Sequence, residues 1–376
     1  MMSHNEEMAT RFCENVLDLY CHREKGYYLA KFYPKRENEP EVAFLWSYFA
    51  ALGMMYQINR LFPENVKLRA AYKEMLDNLL YYKNADSNDE CAKYHSGKGK
   101  HKNMGTGDVF FDDNIWIARN MLFAHEIFGD EAYFQEAIRI VNYTYTGWNE
   151  EIGGLVWNET GLGSNATAQE LERGLSANAC CIIVNAKLYQ MTGRQDYLDW
   201  ALRFYSFCKQ MQDKNTKIYY NGIHTVLNED GTRSNGEINK ALYAYNSGSM
   251  IIANLILYDI TQDREYLADA MESAKAAHGA YLKKQNGISH YEGYPWFTAI
   301  LAESFEALSG YDSEAVKPYM KVLQESLEFA CKEHRNEFGL LPRNLATGFD
   351  ENCPDDRQLL TQSAYAEIYT LLALME

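Results

Sequence analysis

The sequence predicts an all-α fold, a closed (α/α)6 toroid of six helical hairpins, with residues 1–376 forming a single domain. Three observations carry that prediction. A short motif recurs at helix–turn–helix junctions, the hairpins it marks fall roughly 60 residues apart, and strand signals are confined to connections.

The motif is Tyr, an apolar residue, two variable positions and Ala. It reads Tyr133-Phe134-Gln135-Glu136-Ala137, then Tyr197-Leu198-Asp199-Trp200-Ala201, then Tyr266-Leu267-Ala268-Asp269-Ala270. Positions i, i+1 and i+4 share one helix face. A helix end precedes each copy: Gly129 and Gly193 suit the left-handed residue that closes a helix, and Asp130 and Asp263 suit the cap of the next. Weaker copies flank these three. Gly53 to Leu61 with Val66 to Tyr82 forms an earlier pair broken at Pro63, and Ala299 to Leu308 with Ser313 to His334 forms a later one split at Gly310. The N-terminal helix, Glu6 to Cys21, is expected to pair with the C-terminal one, Gln362 to Met375, and so close the ring. Strand signals are sparse and confined to connections such as Gly153 to Trp157 and Lys217 to Asn221. The long connections from Ala85 to Gly107 and from Gly147 to Glu172 are of a length that builds sites.

With 47% hydrophobic residues the chain buries a large core, and a net charge of −16 argues against a nucleic-acid partner. It equally disfavours docking on an anionic membrane, and no apolar run is long enough to insert; Met250 to Tyr258 is the longest and contains Asn254. Eight cysteines form no CxxC pair, and several sit in apolar helical patterns, which suggests a reducing compartment. The expected location is cytoplasmic, the alternative being an exported protein whose leader lies outside this sequence. The 14% of aromatic residues fits either a cleft that stacks on sugar rings or Tyr used as amphipathic filler.

The sharpest local signal is Gly107-Asp108-Val109-Phe110-Phe111-Asp112-Asp113-Asn114-Ile115-Trp116. One Asp at the start of a helix is ordinarily a cap. Two in succession, walled by Phe110, Phe111 and Trp116, fit chemistry as well as capping, because crowded carboxyls in an apolar wall hold one proton near neutral pH. The histidines form no HExxH or metal-like cluster, and Gly105 and Gly107 lead to no nucleotide fingerprint. Neither a metal nor a cofactor is expected.

The Asp112-Asp113 pair followed by Trp116 resembles glycoside hydrolase family 76, the endo-α-1,6-mannanases. Gly153-Gly154-Leu155-Val156-Trp157, Ser176-Ala177-Asn178-Ala179 and Tyr245-Asn246-Ser247-Gly248 are similar to further segments of that family, in chain order. The paired aspartates and the Tyr-Asn-x-Gly segment are the specific elements; the others are ordinary in helical toroids. The resemblance implies a retaining glycosidase acting on mannan or mannooligosaccharides, with Asp112 as nucleophile and Asp113 as general acid/base. The spacing alone is compatible with the reverse assignment.

Phe111, Trp116, Trp157, Tyr245, Tyr294 and Trp296 are candidate sugar platforms, with a place in the core as the alternative for each aromatic. Asn178 and Asn246 are candidate hydroxyl contacts, or else helix caps or satisfied core amides. Asp355-Asp356-Arg357 reads as a solvated loop before the last inner helix, the alternative being a loop that reaches the mouth of the ring. The rival readings are another toroid enzyme, such as an epimerase or an unsaturated-uronide hydrolase, and a glycan-binding protein without chemistry. The sequence leaves the oligomeric state open.

Overall fold

The computed structural model describes residues 2–22, 28–37, 40–163, 165–350 and 354–376. In chain order the first six helices are α1 (His4–Tyr20), α2 (Leu45–Leu61), α3 (Val66–Leu79), α4 (Phe111–Phe128), α5 (Glu131–Tyr145) and α6 (Leu175–Thr192). They are followed by α7 (Gln195–Lys209), α8 (Ala244–Thr261), α9 (Arg264–Tyr281), α10 (Pro295–Ser309), α11 (Ser313–Glu333) and α12 (Leu359–Leu374). Short strands sit in the connections: β1 (Cys21–His22), β2 (Tyr28–Leu29), β3 (Arg173–Gly174), β4 (Gly222–Leu227), β5 (Arg233–Asn239), β6 (Leu282–Gln285) and β7 (Ile288–Tyr291). No helix among the described residues is long and apolar enough to cross a membrane. The helices form two compact units, Met1–Tyr81 with His278–Glu376, and Tyr82–Ala277.

In the first unit the chain ends meet as expected. Phe12 of α1 stacks on Tyr369 of α12 with ring centroids 5.4 Å apart, and Asn5 Nδ2 donates to Glu376 Oε1 at 2.7 Å. A capping box starts α1, with Glu6 N–H on Ser3 Oγ and Ser3 N–H on Glu6 Oε2. α12 buries nearly every residue against α1, α2 and α10, whereas α11 and α3 bury one stripe. The loop at Asp356 departs from the solvated reading. Its carboxyl is buried and accepts the N–H groups of Arg343 and Asp350, both at 2.7 Å, so it fastens one loop segment to another. The side chain of Asp355 lies outside the described residues.

In the second unit α4, α6 and α8 are buried on almost all sides, and α5 and α7 show the one-sided burial of covering helices. The repeated alanines Ala137, Ala201 and Ala270 are fully buried, so the covering helices approach closely. Gly129 and Gly193 take the left-handed conformation at φ 64° and 69°, and Gln262 takes the same place at 59° in the third hairpin. Asp130 and Asp263 cap the following helices through Ala132 N–H and Glu265 N–H.

The strand expectations need correction. Residues 153–157 and 217–221 contribute isolated bridges, Trp148 with Leu155 and Gln212 with Tyr219. The sheet lies just downstream, in the order β3-β4-β5. Its turn contains Asp230-Gly231, with Gly231 at φ 83°, and the β6–β7 hairpin turns at Asn286-Gly287, with φ 49° and 84°. Both dipeptides are hairpin signals in their own right. Their polar flanks, His224 and Asn235 or Lys283 and Lys284, hide the alternation that marks a strand.

Candidate active site

The start of α4 is set by two loops. Asn114 clamps the preceding one: its Oδ1 accepts Tyr94 N–H at 2.7 Å and its Nδ2 donates to Tyr94 O at 2.9 Å. His95 braces the same loop between Asn84 Nδ2 and Gly107 O, both at 2.7 Å. The other loop supplies Trp157, whose carbonyl accepts Phe111 N–H at 3.0 Å and whose ring packs on Phe110 at 4.8 Å. Gly154 permits that loop, since it sits at φ 87° and a Cβ there would stand 2.5 Å from the Phe207 ring. The residue before the helix is Phe110, and no side chain caps it. Asp112 and Asp113 therefore lie in the first turn as half-buried carboxyls and leave the cap position to Phe110.

Three consecutive buried helices open at this place, and each presents its second residue: Asp112 of α4, Ser176 of α6 and Tyr245 of α8. Ser176 Oγ lies 3.5 Å from Asp112 Oδ1 and accepts Trp116 Nε1–H at 3.3 Å. Trp116, one turn after Asp112, also hydrogen-bonds the Asp112 carboxyl. The Tyr245 hydroxyl hydrogen-bonds Ser176; burial, then the charge of Asp112, holds it well above the usual phenol range.

The two carboxyls differ in support. Burial pushes Asp112 up to about 6, against the pull of Trp116 and Ser176. Asp113 has no hydrogen bond or ion pair among the described residues. Burial, and then the charge of Asp112, pushes it up to about 8. Burial and mutual repulsion thus favour one charge and one proton on the pair near neutral pH, with Asp113 pushed up further than Asp112. No three His, Cys, Asp or Glu side chains converge as a metal site among the described residues.

The other expected contacts are placed unevenly. Phe111 is fully buried, stacked on Tyr143 at 5.0 Å and seated where Gly147 leaves room, so it is core. Trp116 is buried as a prop for Asp112, and Trp157 is half-buried against Phe110. Asn178 repeats the Asn114 clamp one hairpin later: Oδ1 accepts Leu155 N–H at 2.8 Å and Nδ2 donates to Gly174 O at 2.7 Å. Its amide serves the loop rather than a ligand. Asn246 is buried and donates to Asn221 Oδ1 at 3.3 Å, while its own Oδ1 has no partner among the described residues. Tyr294 and Trp296 belong to the first unit, in a cluster with Trp46, Phe49 and Phe297; the Arg343 guanidinium lies 3.8 Å from the Tyr294 ring centre.

Sequence reasoning passed over three residues. Ser176 was visible only as part of a motif, and its rank in the helix is the signal that singles it out. Arg173 is fully buried, donating to Thr225 Oγ1, Ile152 O, Gly153 O and Asn235 Oδ1, and it anchors the strand that leads into α6. Glu172, beside it, accepts the side-chain amides of Asn221 and Asn239.

The chain matches the sequence profile of Glycosyl hydrolase family 76 over residues 4–350. Among solved structures it resembles a family 76 mannosidase of Bacteroides thetaiotaomicron, at 23% identity and TM-score 0.85 over 99% of this chain and 98% of that one. An α-1,6-mannanase from Salegentibacter sp. HEL1_6 superposes with TM-score 0.76 at 18% identity, covering 99% and 100% of the two chains. An inactive variant of that mannanase, with two adjacent aspartates changed to asparagine, is in complex with α-1,6-mannotriose; it matches at TM-score 0.74 and 18% identity over 99% and 100%. No curated protein matches the sequence. The fold class is the all-α (α/α)6 toroid anticipated from the repeats. With the family profile spanning nearly the whole length, the chain belongs to glycosyl hydrolase family 76.

Proposed function

We propose that this glycoside hydrolase cleaves α-mannosidic bonds, α-1,6-linked ones in mannan or mannooligosaccharides, with retention of configuration. The observation that carries the mechanism is the contrast within the Asp112–Asp113 pair, one carboxyl braced by Ser176 and Trp116 and the other without a hydrogen bond or ion pair among the described residues and pushed up further by burial and the charge of Asp112. Asp112 attacks the anomeric carbon as Asp113 gives its proton to the leaving oxygen. A water then displaces Asp112 from the sugar while Asp113 takes the water's proton, which restores both groups. The substrate follows from likeness: a mannanase of the same fold loses activity when two adjacent aspartates are changed and still holds α-1,6-mannotriose.

The test is incubation with α-1,6-mannan, reading product size and anomeric configuration. Short products released in the α configuration are expected, and Asp112→Asn or Asp113→Asn should lower turnover by at least ~10³-fold with the helical circular dichroism kept. β-configured products would reject retention. Intact, folded protein that leaves the polymer uncut would reject the substrate.

A further inference from the structure

A third carboxyl stands four residues before Ser176 in the chain, and the mechanism does not use it. Glu172 lies three residues before α6, in the segment anchored by buried Arg173. Its Oε1 accepts two amide donors, Asn239 Nδ2 at 2.9 Å and Asn221 Nδ2 at 3.1 Å. Gly222 makes space for it, since a Cβ there would stand 2.9 Å from Oε1. The second oxygen is treated differently. Oε2 accepts no hydrogen bond among the described residues, and His224 Nδ1 lies 3.8 Å from it, beyond hydrogen-bond length. The side chain keeps 18% of its surface open, and Asn221, one of its two donors, also accepts Asn246 Nδ2 at 3.3 Å, next to Tyr245 at the start of α8.

A carboxyl fixed through one oxygen and open at the other is built to accept a hydrogen from outside. Sugar hydroxyls are such donors, and an acidic acceptor held by two amides loses little freedom in binding them. We propose that Glu172 is a specificity-determining residue whose Oε2 accepts a hydroxyl hydrogen of the mannose unit lying beside Tyr245 and Asp112. This rests on the reading of the pair as a mannan-cleaving site. It adds a polar requirement: a site that pairs a particular hydroxyl discriminates strongly against a sugar lacking it there.

Glu172→Gln separates the two halves of the carboxyl. The amide oxygen of Gln still accepts from Asn221 and Asn239, while the other atom changes from acceptor to donor. Two measurements decide. In the otherwise native enzyme, KM for α-1,6-mannotetraose should rise about ten- to a hundredfold, with kcat changed less than about threefold. In an Asp113→Asn background, calorimetric affinity for the same tetrasaccharide should fall by the same factor when Glu172→Gln is added. Wild-type enzyme that cleaves mannan beside a Glu172→Gln variant with unchanged KM and affinity overturns this inference alone. Unfolding of the Glu172→Gln variant overturns it in favour of a structural clamp. Wild-type protein that neither cleaves nor binds the tetrasaccharide removes the mannan reading and this inference together.

Discussion

Ser176 Oγ lies 3.5 Å from Asp112 Oδ1 because each residue holds the second place in its helix, one in α6 and the other in α4. Tyr245 holds that place in α8. Helices that pack side by side and start at a common level bring equal ranks together, so the site is a consequence of the hairpin repeat. A repeat that sets geometry leaves chemistry to the residue type at one rank. Here it supplies a carboxyl, a hydroxyl and a phenol in succession, and an adjacent carboxyl at the third place of α4.

The first consequence is a bell-shaped pH profile. Activity needs Asp112 ionised and Asp113 protonated, and burial holds these groups near about 6 and about 8. kcat/KM should therefore rise through the lower value, peak near pH 7 and fall through the upper one, as the apparent constants of a coupled pair. Initial rates on a mannooligosaccharide between pH 4 and 10 check it. A maximum below pH 5 would mean that the site is not desolvated as described.

Ser176→Ala tests the link from hydroxyl to nucleophile. Its hydrogen bond holds Asp112 below the value that burial alone would give. Without it the acid limb should move to higher pH, with the alkaline limb in place, and kcat/KM at pH 7 should drop about three- to tenfold. The hydrogen bond is long, which keeps the expected loss small. A uniform drop with both limbs unmoved would indicate displaced geometry in place of a shifted titration.

What the sequence made legible is local in origin. The Tyr-to-Ala motif with Gly129, Gly193 and the Asp caps appears within a dozen residues of chain, and so does the aspartate pair. The burial of Phe111 is a different matter. Adjacent helical residues point about 100° apart, so whether Phe111 or Asp112 faces the core depends on the starting residue of α4, and a carbonyl of Trp157 decides that start. Ser176 and Glu172 gain meaning only from neighbours such as Asp112, Asn221 and Asn239, which lie 49 to 67 residues away in the chain. Asn178 was misleading because the same amide that can bind a hydroxyl can close a loop, and the choice rests on Leu155.

Asp113 should cost stability at alkaline pH. Its folded value, about 8, lies above the ordinary carboxyl value that an unfolded chain shows, so the native state binds the extra proton. The fold therefore loses nothing from this group below about pH 4, loses progressively as pH rises toward 8, and then loses a constant amount. Asp113→Asn removes the charge at nearly constant shape. The variant should melt roughly 1–4 °C higher than wild type at pH 8.5 and coincide with it at pH 4. Calorimetric scans at both pH values decide, and equal melting temperatures at pH 8.5 would show that Asp113 is solvated.

Asn178→Ala distinguishes a loop clamp from a ligand contact. The substitution strips the donor from Gly174 O and the acceptor from Leu155 N–H inside a fully buried setting. Unpaired buried backbone groups cost about 1–3 kcal/mol each, so denaturant unfolding should report a loss of about 2–4 kcal/mol. The clamp holds the loop that carries Trp157, whose carbonyl in turn sets the start of α4. kcat should consequently fall with the loosened aspartates, and KM should stay within about twofold because both ends of the Asn178 amide are committed to backbone groups. A variant of native stability with KM raised tenfold would return Asn178 to the binding surface.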